Sequence, residues 1–187
     1  MPFGSLWLPV VVGSVAVFVV SSILHMVIRH HRADYKRFGD ETAVGAAIRK
    51  DKPSPGYYVI PYCDDMAKMK DPEFRKKYEE GPVAVIALLE SKVPAMGKNL
   101  VQWFVFCFLI CFVTAYVARH TLTFGQDAMT VFRITSTVSF MGFGIGCLQE
   151  SIWKGIPWGN TVRFLIDAFV YSVVTGLSFL LLWPAAG

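Results

Sequence analysis

The sequence predicts an all-α membrane protein: four transmembrane helices with a small α/β cytoplasmic insertion between the first and second. Three observations predict it. The 187 residues are 54% hydrophobic and only 17% charged, where a soluble domain carries about 25% charge. The charge is also confined: Arg29 to Lys98 holds 14 of the 18 Lys and Arg and 11 of the 14 Asp and Glu. Outside that stretch lie four apolar runs near the length of about 20 residues that a bilayer core requires.

The first run, Leu6 to Ile28, lies within a first segment of residues 1–28. No Lys or Arg precedes it and its apolar core is too long for a cleaved leader, so it reads as a retained anchor. Residues 100–187 carry the other three spans, at about 100–118, 128–152 and 162–183. Lys and Arg near span ends set orientation. None precedes the first span or follows the fourth, whereas 14 lie between the first and second. The asymmetry places both termini outside and the long insertion in the cytoplasm. Tryptophan, which prefers the interface, agrees: Trp7 and Trp183 would mark the outer face, Trp103, Trp153 and Trp158 the inner.

The insertion, residues 29–99, is long enough for a subdomain. It opens on a basic collar, Arg29-His30-His31-Arg32, suited to anionic headgroups. Asp40 or Thr42 begins a short helix that ends near Lys50. Tyr57 to Ile60 is a strand candidate; the apolar run Val83 to Leu89 is either its partner strand, which its β-branched residues favour, or a segment lying on the inner leaflet. Asp71-Pro72-Glu73 starts a helix, with an acidic cap and proline in the first turn, and Gly81-Pro82 ends it. Signs of charge are mixed here, so no basic patch for nucleic acid is present. The partners expected are the lipid bilayer and a protein docked on the insertion.

No phosphate loop, nucleophile elbow or HExxH motif occurs. Cys107 and Cys111 lie one turn apart and read as small helix-packing residues. Gly142 and Gly146 form a GxxxG pair, which permits close helix approach. Span four carries a polar stripe at Arg163, Asp167, Tyr171, Thr175 and Ser178; span three carries Thr135 and Ser139 at matching steps.

Ionisable side chains in spans are costly and mark either function or local pairing. Orientation brings His25, Glu150 and Asp167 to similar depth near the cytoplasmic leaflet, with His31 and Asp34 just beyond. Imidazole and carboxylate together suit a divalent metal ion. The candidate ligands are therefore His25, His31, Asp34, Glu150 and Asp167. If the first helix continues, His30 and Asp34 share a face at i, i+4. The competing reading is structural: Arg163 and Asp167, also at i, i+4, form a local ion pair.

His25-Met26, His31, Asp34-Tyr35, Pro55-Gly56-Tyr57, Gly81-Pro82, the run Trp153 to Trp158 and Trp183-Pro184 together resemble a family of short bacterial polytopic membrane proteins with no assigned function. The resemblance implies a bacterial inner-membrane setting and no chemistry. Two functions stand as expectations. The first is a non-enzymatic scaffold or accessory subunit of a membrane complex, without a cofactor, favoured by the absence of catalytic motifs. The alternative is a small protein that handles a metal ion or protons through the polar cluster.

Overall fold

The computed structural model describes residues 3–185. It is mostly helical, with four helices long and apolar enough to cross a membrane: Gly4–Ile28, Met96–Thr121, Ala128–Lys154 and Trp158–Leu181. These are the four expected spans; the first three are extended by a few residues, and the fourth starts four residues earlier and ends two earlier than expected. The chain termini themselves lie outside the described residues.

Two compact units are present: the residues up to Tyr35 together with those from Ala95 onward, and Lys36–Pro94 between them. The insertion expected over 29–99 compares with a compact unit of Lys36–Pro94; residues 29–35 and 95–99 cluster with the helical unit.

In the helical unit, α1 (Trp7–Ile23), α4 (Met96–Thr121), α5 (Ala128–Phe143) and α7 (Trp158–Leu181) form a ring. α1 packs on α4 and α7, and α5 on α4 and α7. Each helix buries one narrow face at steps of three and four: Val10, Ser14, Val17 and Ser21 on α1, and Cys107, Cys111, Thr114 and Ala118 on α4. The outward faces are apolar and exposed, as at Leu8, Val15, Val19, Leu109 and Val113. Water would penalise such a surface; hydrocarbon does not.

The polar stripes do turn inward, and they are largely self-contained. Ser14 donates to the Val10 carbonyl at 2.6 Å, Thr135 to Val131 and Ser139 to Thr135 at 2.8 Å, and Thr175 to Tyr171 at 2.9 Å. A hydroxyl satisfied by its own helix can be buried at little cost. These residues pack within the bundle.

The GxxxG expectation holds at one glycine and fails at the other. A β-carbon on Gly142 would lie 2.7 Å from Ile110 Cδ1, so the Ile110 side chain of α4 rests on the backbone there. Gly146 has nothing within 4 Å. The third span is not one continuous helix. α5 stops at Phe143, Ile145–Cys147 form a 3-10 turn, and α6 (Leu148–Lys154) follows. The break removes Gly146 from the face that Gly142 presents. Gly144, at the break, makes an equally close contact, and with a less yielding atom: its β-carbon would meet Ala168 Cβ at 2.7 Å.

The insertion folds as expected in kind. α2 (Glu41–Lys50) is capped by Asp40, whose carboxylate accepts from Ala43 N at 2.9 Å. β1 (Gly56–Ile60) pairs antiparallel with β2 (Ala84–Leu88), with Tyr58 opposite Ile86. Asp71 caps α3 (Pro72–Glu80) by accepting from Glu73 N at 3.0 Å. Phe74 is buried and meets Tyr78 edge-on, 5.6 Å between centroids. Gly81 ends the helix at φ +64°, which glycine adopts without steric cost.

Candidate metal centre

The site is made where the first span stops being a regular helix. After Ile23 the chain widens into a π-helical turn, Leu24–Ile28, and Arg29 then takes a left-handed conformation at φ +55°. For a residue with a β-carbon this costs about 1–2 kcal/mol, and such strain gathers at functional sites. The reversal sends His30–Asp34 back as a 3-10 turn packed on α7. The helix therefore does not continue, and His30 and Asp34 do not pair. A 3-10 turn has three residues per turn and eclipses i with i+3, so Asp34 meets His31 instead, Oδ2 to Nδ1 at 2.5 Å.

Three imidazoles converge on one carboxylate. Asp167, 2% exposed on α7, places Oδ2 2.8 Å from His31 Nε2 and 3.6 Å from His25 Nε2. Its Oδ1 lies 2.9 Å from His30 Nε2. The rings stack closely: His25 on His31 at 4.9 Å and 17°, and His30 against His31 at 4.3 Å. Ligand atoms of His25, His31 and Asp167 all lie within 4.8 Å of one another. Around a tetrahedral ion with bonds of about 2.0–2.1 Å, donor atoms sit roughly 3.3 Å apart, so the observed spacing brackets what an ion needs. His30 Nε2 and Asp167 Oδ1, though 2.9 Å apart, are not aligned as a hydrogen bond, and each is buried without a partner. Two orphaned ligand atoms side by side fit a cation that touches both, although His30 stands outside the group formed by His25, His31 and Asp167.

The other ring nitrogens are already engaged. His25 Nδ1 donates to the Ser21 carbonyl at 3.0 Å, and His31 Nδ1 donates to Asp34. Such bonds fix the tautomer and aim Nε2 at a metal. Asp34 is held in turn by Arg163, Nη1 to Oδ1 at 2.7 Å, and Asn160 Nδ2 donates to its carbonyl at 3.4 Å. Burial alone would lower the pKa of His31. The hydrogen bonds and charges of Asp34 and Asp167 outweigh it, and the pKa is raised above the ordinary histidine value.

Four of the five candidate ligands are thus brought together: His25, His31, Asp34 and Asp167. Asp34 stands behind His31 and orients it. The fifth, Glu150, is not at the cluster. It pairs one turn along α6 with Lys154 Nζ, 2.9 Å to Oε1 and 2.7 Å to Oε2, half-exposed. The break at Gly144 interrupts the helix face on which Glu150 was expected to reach Asp167. The local Arg163–Asp167 ion pair is also not formed, since Arg163 goes to Asp34 and leaves Asp167 to the histidines. Sequence reasoning left out His30 as a converging ligand and Arg163 as the clamp on Asp34; the only signal for either was their density near span ends.

Comparison with family models, with curated proteins and with solved structures gives no match.

Proposed function

We propose that this is a multi-pass protein of the bacterial inner membrane that binds a divalent first-row metal ion, with His25, His30, His31 and Asp167 as ligands. The insertion lies in the cytoplasm and both termini lie outside, as the Lys and Arg asymmetry argues. The centre is then at the cytoplasmic end of the bundle.

The observation that carries the reading is the Arg163–Asp34–His31–Asp167 chain, in which a buried carboxylate orients one imidazole toward another carboxylate. A carboxylate behind a histidine ligand is the arrangement that raises ligand basicity in metal sites. Three imidazole nitrogens and one carboxylate oxygen suit zinc or iron(II) over the all-oxygen ions calcium and magnesium. Without metal, His31 Nε2 hydrogen-bonds Asp167; an ion would replace that contact and use the same lone pairs. The scaffold reading has no comparable observation behind it.

The test is elemental analysis of protein purified in mild detergent from metal-supplemented cells. About one zinc or iron per chain is expected, lost in Asp167→Asn and in His31→Ala. Wild-type protein that carries no metal and takes none up in titration would end this reading and return the scaffold to first place.

A further inference from the structure

A cavity of about 500 Å3 opens beside the centre, among α1, α4, α5 and α7. Its inner end is polar: Asp167, His25 and Tyr171 line it. Tyr171 is 4% exposed, and its hydroxyl, though in the electrostatic reach of Asp167, makes no well-formed hydrogen bond. Its walls are aromatic and tightly interlocked. Phe143 meets Tyr171 at 5.5 Å and 70°, Phe106 meets Phe143 at 5.8 Å and 80°, and Trp103 meets Tyr171 at 5.9 Å and 61°. Trp103 is fixed further by donating Nε1–H to Ser21 Oγ at 2.7 Å. On the side of the π-helical turn and α4 the lining includes the exposed, apolar Met26, Met96 and Leu100, with Asn99 the polar residue among them.

We propose that this cavity binds the headgroup of an isoprenoid quinone, taken from the lipid phase. An opening lined by exposed Met and Leu on spanning helices admits a bilayer-dissolved molecule more readily than a water-soluble one. Rings locked edge-to-face form a preorganised box for a flat ring. A phospholipid acyl chain gains nothing from that box, and it would leave the Tyr171 hydroxyl buried and unpaired. A quinone oxygen accepts from that hydroxyl, and its prenyl tail lies along Met26 and Leu100 toward the lipid. Tyr171 and the ring box are not ligands of the metal centre, whereas Asp167 and His25, which line the same cavity, are, so the titration is made with and without the ion. The proposal concerns binding and names no electron transfer.

The test is calorimetric titration of the full-length detergent-solubilised protein with decylubiquinone, before and after chelator treatment, with metal content measured on the same samples. Saturable one-to-one binding is expected in both states, uncompeted by phosphatidylglycerol. Tyr171→Phe removes one hydrogen bond and should weaken binding roughly three- to tenfold. Met26→Trp, at an exposed position where it cannot disturb the core, should close the opening and weaken binding more than tenfold. If Tyr171→Phe does not fold, Met26→Trp decides. Non-saturable partitioning, equal affinity of wild type and Met26→Trp, or displacement by phosphatidylglycerol would overturn the quinone. Loss of metal from His31→Ala with quinone binding retained would support it, and metal retained with no quinone binding would overturn it and leave the metal reading standing.

Discussion

Arg163 reaches Asp34 across 129 residues of sequence, Nη1 to Oδ1 at 2.7 Å, and passes by the carboxylate of Asp167 one turn along its own helix. This exchange of partners frees Asp167 for the histidines. It also makes Arg163 a positioning residue for a centre it does not touch. Arg163→Met should therefore lower metal affinity by roughly 10–100-fold, the usual cost of losing an outer partner. Arg163→Lys keeps the charge but not the planar fork and should recover only part of it. Competitive titration with a chromophoric chelator reads both. Wild-type affinity in Arg163→Met would show that the Asp34 contact does not orient His31.

The two glycines of the GxxxG pair should separate in a stability assay. Gly142→Leu drives a side chain into Ile110, and overpacking typically costs about 1–3 kcal/mol. Gly146→Leu meets open space and should leave the melting profile in detergent unchanged. Equal destabilisation by both would mean that α6 continues the packed face of α5.

In the insertion, Asp71→Ala removes the acceptor for Glu73 N. Loss of such a cap costs roughly 0.5–2 kcal/mol. Amide exchange from Glu73 to Glu80, slow in the wild type, should quicken in the variant, while exchange in α7 stays as it was. Rapid exchange over α3 in the wild type would show that the helix does not persist in solution.

Orientation is tested by reporter fusions. A reporter active only in the cytoplasm should work when inserted near Ser91 and fail when fused after the last residue. An active C-terminal fusion would invert the scheme and put the metal centre at the outer face.

Wild-type protein stripped of metal should also melt at a lower temperature than the loaded form, because an ion that binds only the folded state stabilises it by mass action. Readdition of zinc or iron should restore the melting temperature. A melting temperature indifferent to metal would argue that the cluster is an imidazole–carboxylate network sufficient to itself.

Much of this was determined by the sequence alone. The four spans follow from apolar length, which a bilayer imposes without reference to tertiary contacts. The caps at Asp40 and Asp71 and the stop at Gly81 follow from local chemistry, where neighbouring residues set the outcome; the pairing of β1 with β2, which joins residues 56–60 to 84–88, was one of two readings that the sequence left open. The inward turn of Thr135, Ser139, Tyr171 and Thr175 follows from the helical period. The depth of His25 and Asp167 also follows from counting along spans. Only the tertiary structure decided which of these residues meet. A π-helical turn and a left-handed Arg29 cannot be read from periodicity, because they are stabilised by what His30–Asp34 pack against on α7. That reversal replaced the expected His30–Asp34 pair with His31–Asp34 and brought His30 to Asp167. The break at Gly144 likewise left Glu150 with Lys154. Depth is one coordinate, set by length and charge; rotation about each helix axis is the other, and packing sets it.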